Sequence, residues 1–289
     1  MKVLITGAGG QLGRSLLKTA AADYQIRSFS HAELDITDLR SVQQAVQGFR
    51  PDVAVNAAAY TAVDKAESER ELVFAVNASG AENLAKAALK SGARLIHLST
   101  DFVFDGKKSS PYLPEDEMRP LGVYGASKAE GERRVRAVMG NAAVIIRTGW
   151  VYAAQGHNFV RTMLRLLAEK GSLGVIADQV GTPTWAMALA EVVWKTAKTP
   201  TITGTHHWSD AGMASWYDFA VAIQEEALTA GLLKRGIPIK PLATEQYPLP
   251  AKRPAYSVLD KHSLLAATGI IPFHWRDNLR KMLGELVSA

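Results

Sequence analysis

The stretch that most constrains the fold of this chain is its first twenty or so residues. Lys2 to Thr6 is a short aliphatic and β-branched run that reads as a buried strand. It passes directly into Gly7-Ala8-Gly9-Gly10-Gln11-Leu12-Gly13, and Arg14 to Ala22 then reads as a helix. Glycine at 7, 10 and 13 gives Gly-x-x-Gly-x-x-Gly in a strand–turn–helix setting. That arrangement lets backbone N–H groups and the start of a helix approach a pyrophosphate. Gly7 makes the tight turn, Gly10 permits close approach, and Gly13 packs the helix on the sheet. Glycine spacing by itself is weak; the strand before it and the helix after it make a dinucleotide site the favoured reading, with Gln11 and Leu12 among its contacts.

The following segments repeat the strand–helix alternation. Gln25 to Ser30 reads as a second strand, and its end, Ser28-Phe29-Ser30-His31, carries no carboxylate. An acidic residue at this point would bond the ribose 2′-hydroxyl of NAD. Its absence, with Arg27 nearby, tilts the expectation toward NADPH, with NADH also open, and makes Ser30 a contact. Asp35-Ile36 borders the adenine, and Asp38 caps a helix over 39–48. Val53 to Ala57 is the third strand, followed by small residues and a tyrosine at Ala58, Ala59, Tyr60 and Thr61, where a cofactor can lie close to the backbone. A helix over 79–91 leads to a fourth strand, Arg94 to Thr100, ending in Ser99-Thr100-Asp101. Strands at this spacing with helices between them specify an α/β fold, a Rossmann-type doubly wound parallel sheet, with ligands outside the carboxyl ends of its strands.

Tyr124-Gly125-Ala126-Ser127-Lys128 begins the helix after the next loop. Tyrosine and lysine four apart share a helix face. A positive charge beside a phenol lowers its pKa from near ~10, which suits it to exchange protons with a carbonyl oxygen. Alone, Tyr-x-x-x-Lys is a common chance spacing, and a buried Tyr beside a solvated Lys is the plainer reading. Here it falls beside Thr100 on the strand edge that carries the glycine loop.

The chain of 289 residues has a net charge of +5 and no cysteine. These exclude a disulfide framework and thiolate chemistry, and the dispersed charge suits an anionic small ligand rather than nucleic acid. No apolar run reaches membrane-spanning length and no signal-peptide layout opens the sequence, so a cytoplasmic protein is expected. In the second half, residues 141–148 read as the fifth strand. His157 and Asn158 either reach a substrate phosphate or cap the next helix, while Arg161 and Arg165 read as solvated. Adjacent His206 and His207 on a strand face opposite ways and make a poor metal pair; no metal is expected. Arg253, held before Pro254, is a candidate for a pyrophosphate, with a surface cation as the equal alternative. The expected division is a dinucleotide-binding domain over 1–149 and about 180–204, with a smaller, mainly C-terminal α/β substrate domain over about 150–179 and 205–289.

Longer runs carry a family resemblance. Residues 56–67 (NAAAYTAVDKAE), 98–106 (LSTDFVFDG), 147–152 (RTGWVY) and 178–184 (DQVGTPT) resemble the dTDP-4-dehydrorhamnose reductase family of the extended short-chain dehydrogenase/reductase superfamily. The likeness runs in register to about Ala190 and more loosely to Lys252-Arg253-Pro254. It implies NAD(P)H-dependent reduction of the C4 ketone of a dTDP-linked deoxysugar to dTDP-L-rhamnose, by a monomer or homodimer. It assigns Thr100 and Tyr124 to the carbonyl and Lys128 to the nicotinamide ribose. It places Asp101 and Trp150 on the deoxysugar and Val63, Asp64 and Glu67 in the substrate pocket. Sugar-dehydrating relatives carry Thr-Asp-Glu where this chain has Thr100-Asp101-Phe102, so elimination lacks its acid–base. An epimerase, a reductase of another nucleotide sugar, and a non-catalytic regulatory subunit of the same fold remain as alternatives. A magnesium-bridged dimer of the kind some members form is not expected, because Arg14-Ser15 stands where they carry a glutamate.

Overall fold

The computed structural model describes residues 1–287. Its first half alternates as expected: β1 (Lys2–Thr6), α1 (Gln11–Thr19), β2 (Gln25–Phe29), α2 (Leu39–Phe49), β3 (Val53–Asn56), α3 (Val63–Ala66), α4 (Arg70–Phe74), α5 (Ala81–Ser91), β4 (Arg94–Thr100), α6 (Val123–Met139) and β5 (Val144–Thr148). There follow β6 (Val151–Tyr152), α7 (Phe159–Glu169), β7 (Leu173–Ile176), β8 (Val180–Gly181), β9 (Thr184–Trp185), α8 (Ala186–Lys198) and β10 (Gly204–His207). The last elements are β11 (Ala214–Ser215), α9 (Trp216–Thr229), β12 (Ile239–Leu242), α10 (His262–Thr268) and α11 (Trp275–Val287).

Six parallel strands form the central sheet in the order β10-β5-β4-β3-β1-β2. Val3, Leu4, Ile5 and Ile96 are fully buried, as strands covered on both faces require. β2 and β3 lie on opposite sides of β1, so the chain direction reverses there and opens a crevice at the strand ends. Asp38 caps α2 by accepting from the amides of Arg40 and Ser41, as its sequence position indicated.

The helix expected over 79–91 has a different start. Residues Ala75–Gly80 form a π-helical turn that runs straight into α5. The wider turn carries Asn77 to Tyr60, whose amide donates to its Oδ1 at 2.9 Å, and to Ser127, which accepts from its Nδ2 at 3.0 Å. π turns of this kind concentrate at functional sites, and no hydrophobic period announces them.

A second body packs around Tyr152, Met163, Phe219, Ile223, Leu279 and Met282. It contains three short strand pairs, β6–β9, β7–β12 and β8–β11. α8 and Leu264 of α10 pack in the core of the central sheet, so the chain crosses between the two bodies several times. No helix among the described residues is long and apolar enough to cross a membrane.

Candidate active site

Two clefts bear on the site, one lined by the glycine loop and one by Arg253. The first, of about 440 Å³, is lined by Gly7, Gly9, Gly10, His31, Asp35, Ile36 and Ala57 to Tyr60. Its floor is backbone. Gly7 has φ +77°, and a Cβ there would sit 2.5 Å from the Ala57 carbonyl carbon. A Cβ on Gly13 would lie 2.2 Å from the Gly7 carbonyl oxygen, so the loop folds this tightly only with glycine at both positions. α1 starts at Gln11 with Gly10 as its cap, no side chain bonds its first amides, and its first turn holds no acid. Those free N–H groups and the helix dipole form an anion-binding end. The residues therefore fit a dinucleotide whose pyrophosphate lies on the loop. Gln11 itself bridges to the second body, donating to Val151 O and accepting from Asn158. Leu12 packs against the sheet core, so any contact it offers is through its backbone.

Thr100, Tyr124 and Lys128 converge beside this cleft. Gly122 cannot cap α6 with a side chain; Glu67, just past the end of α3, does so, accepting from the Val123 amide at 2.8 Å. A Cβ on Gly125 would lie 2.1 Å from Phe102 O, so glycine lets the helix seat against the loop that leaves Thr100. The Tyr124 phenol lies near the Thr100 hydroxyl, which itself donates to Asp101 Oδ1 at 3.1 Å. Burial pushes that phenol up to about 12; the hydrogen bond to Thr100 opposes the shift and the charge of Asp101 adds to it. Lys128 is 2% exposed and donates from Nζ to Leu98 O at 2.6 Å. Burial pulls its ammonium down to about 8, against the opposing pull of Glu132 one turn on.

The lysine was expected to lower the tyrosine pKa, and in this structure it does not. Its ammonium is turned to the end of β4, and burial governs the phenol. Glu132 is itself gripped by Arg147 through two bonds of 2.9 and 2.8 Å and by Ser99 at 2.5 Å, all buried. This network, which no local motif revealed, fixes α6 against β4 and β5.

The substrate candidates divide. Asp101 is buried between Thr100, whose hydroxyl donates to it at 3.1 Å, and Ser257. Burial raises its carboxyl to about 6, while the Ser257 and Thr100 hydrogen bonds hold it down. Trp150 sits at φ +51°, a strained conformation for a bulky residue. Its ring lies flat on Trp216 at 3.4 Å, with Gly181 against its indole edge. Trp216, the first residue of α9, shapes the face Trp150 presents. Arg253 and Asp64 meet each other in a two-bond pair at 2.8 and 3.1 Å. Val63 opens the short helix that carries Asp64. Arg253 lines a second cleft of about 400 Å³ with Leu121, Gln179, Thr244, Tyr247 and Lys252.

Two candidates have other employment. Asn158 caps α7, accepting from the Arg161 amide, and gives its Nδ2 to Gln11 and Ala153 O, so its polar atoms are spent within the protein rather than on a phosphate. Glu67, expected in the substrate pocket, is the cap of the Tyr124 helix. Among the described residues no group of three or more His, Cys, Asp or Glu could hold a metal ion. His207 is instead tied to Tyr112 O and Arg147.

A nucleotide-binding parallel sheet with Thr, Tyr and Lys at its open edge defines an oxidoreductase of the extended short-chain dehydrogenase/reductase type. The family model described as RmlD substrate binding domain matches residues 1–288. The dTDP-4-dehydrorhamnose reductase of Aggregatibacter actinomycetemcomitans is 42% identical over 97% of this chain and 98% of its own length. A spore coat polysaccharide biosynthesis protein of Bacillus subtilis is also 42% identical, over 100% of this chain and 99% of its own length. The crystal structure of dTDP-4-dehydrorhamnose reductase from Bacillus anthracis in complex with NADP superposes with a TM-score of 0.93 at 38% identity, covering 98% of this chain and 99% of that one. The chain belongs to the dTDP-4-dehydrorhamnose reductase family.

Proposed function

We propose that this protein reduces the C4 ketone of dTDP-4-dehydro-L-rhamnose to give dTDP-L-rhamnose, a deoxysugar precursor of cell-surface polysaccharide, using NADPH or NADH. The observation that carries this reading is the grouping of Thr100, Tyr124 and Lys128 beside the glycine cleft, with the phenol near the Thr100 hydroxyl and Lys128 one helical turn on. The chemistry supplied by a reduced nicotinamide is hydride delivery to the carbonyl carbon. Tyr124 gives the proton to the carbonyl oxygen. A phenol near 12 stays protonated at neutral pH, so it is loaded for reduction and poorly set to abstract a proton from an alcohol. Thr100 donates to the oxygen as charge develops on it. Lys128 holds the nicotinamide ribose.

Asp101 and Trp150 border the deoxysugar. Arg253 takes the nucleotide's diphosphate by exchanging Asp64 for phosphate oxygens, a geometry a guanidinium matches with two bonds. Phe102 leaves no carboxylate for elimination at the position after Asp101. A monomer or homodimer working in the cytoplasm completes the reading. The test is oxidation of NADPH and NADH against a panel of nucleotide-linked 4-keto sugars. Turnover confined to dTDP-4-dehydro-L-rhamnose supports the proposal; turnover only with another sugar reassigns the substrate, and a stable hetero-complex without turnover reassigns the protein as a regulatory subunit.

A further inference from the structure

The edge of the glycine cleft beyond β2 carries a charge that the strand's own sequence does not show. The turn after Phe29 folds Glu33 back onto Ser30, whose amide and hydroxyl both donate to Glu33 Oε2, at 2.8 and 2.6 Å. The turn is closed by the Glu33 and Leu34 amides donating to Ser30 O. Its neighbours His31 and Leu34 line the cleft, and Ser30 Cβ lies 3.9 Å from where a Cβ on Gly9 would stand. The carboxylate therefore sits at the end of β2, where a dinucleotide's adenosine ribose rests in a sheet of this kind.

We propose that Glu33 is a specificity-determining residue that biases the cleft against a 2′-phosphorylated dinucleotide. The proposal rests on the cleft being the dinucleotide site. Two effects act together. Ser30 offers the donors that would hold a 2′-phosphate at this edge, and Glu33 already occupies both. The carboxylate also repels a phosphate dianion, whereas a free ribose 2′-hydroxyl can donate to it. Its bonds from Ser30 keep the carboxyl below its usual range, so the charge is present at neutral pH. The nearby cations are otherwise placed: Arg14 donates from Nε to Gly9 O, and Arg27 lies over the Phe29 ring.

The test is calorimetric binding of NADPH, NADH, adenosine 2′,5′-bisphosphate and ADP to the wild type, Glu33→Gln and Glu33→Ala. Glu33→Gln keeps an acceptor for Ser30 and loses only the charge. In both variants the affinity for the two 2′-phosphorylated probes relative to their partners should rise about tenfold, the size expected of one close charge at a wet surface. An unchanged ratio in both variants overturns the proposal. A shift in Glu33→Ala alone overturns it too, since Glu33 would then merely hold the turn. Failure of the wild type to bind any of the four probes would instead overturn the dinucleotide reading on which the proposal rests.

Discussion

The glycine cleft and the Arg253 cleft are built from different materials. The glycine cleft is floored by backbone: Gly7 lies so close to Ala57 and Ala58, and Gly13 to Gly7 and Ala8, that added side chains would collide, and its recognition groups are amides at the start of α1. The Arg253 cleft is made of side chains from distant parts of the chain, with Asp64, Leu121, Gln179 and Arg253 brought together only by the fold. A floor made of backbone holds the pyrophosphate with little help from side chains, which leaves choice between dinucleotides to the groups at the cleft's rim. A side-chain cleft can be retuned by single substitutions, and on the proposed reading its Arg253–Asp64 pair opens to receive an anion. The fold thus keeps a dinucleotide constant and leaves the sugar to vary.

Substitutions can break this comparison. The largest effect is expected at the Thr100, Tyr124 and Lys128 grouping: Tyr124→Phe should lower turnover roughly a hundred- to ten-thousand-fold, the usual worth of a positioned acid, while calorimetry shows NADPH binding unchanged. Arg253→Ala should weaken binding of dTDP about ten- to a hundredfold, as loss of charged hydrogen bonds does, with NADPH affinity again unmoved. Weakening of both ligands would show that the clefts are not separate.

A pH series probes this grouping from another side. Lys128 has its pKa drawn from 10.5 to about 8 by burial. The folded protein therefore binds fewer protons than the unfolded chain between these values. The cost of the buried charge is complete below pH 8 and is relieved as pH rises toward 10.5. Relative to Lys128→Met, the wild type should gain thermal stability over this window while its turnover falls as the ammonium is lost. Parallel loss of both would deny the lysine its role. The smallest expected effect is Glu67→Ala, which removes the cap of α6 and should cost about 1 kcal/mol of stability by denaturant melts.

The same contrast explains how much was legible in the sequence. Gly7, Gly10 and Gly13 carry their meaning locally, so strand, turn, helix and cleft were readable from thirteen residues. Asp38 was readable as a cap for the same reason. The Arg253–Asp64 pair joins residues far apart in the chain: family resemblance put Asp64 in the substrate pocket, side-chain chemistry made Arg253 a phosphate candidate, and neither reading paired them. Glu67 and Asn158 both cap helices, and a carboxylate or amide that caps a helix looks the same in sequence as one that binds a ligand; for Asn158 the cap was one of the two readings. Trp216, Asn77, Glu132 and Glu33 gave no signal at all. Their roles depend on a ring stacked across elements, a π turn, a buried ion network and a turn that folds a charge back to a strand end.

The account's central claim is net reduction at the sugar C4, and isotope transfer tests it most directly. The enzyme would be mixed with dTDP-4-dehydro-L-rhamnose and NADPH deuterated at both positions of nicotinamide C4, and the product read by NMR. One deuterium at C4 of dTDP-L-rhamnose, with cofactor oxidised in equal amount, is the expected result. Product formed without net cofactor oxidation, or deuterium at any other carbon, would contradict it.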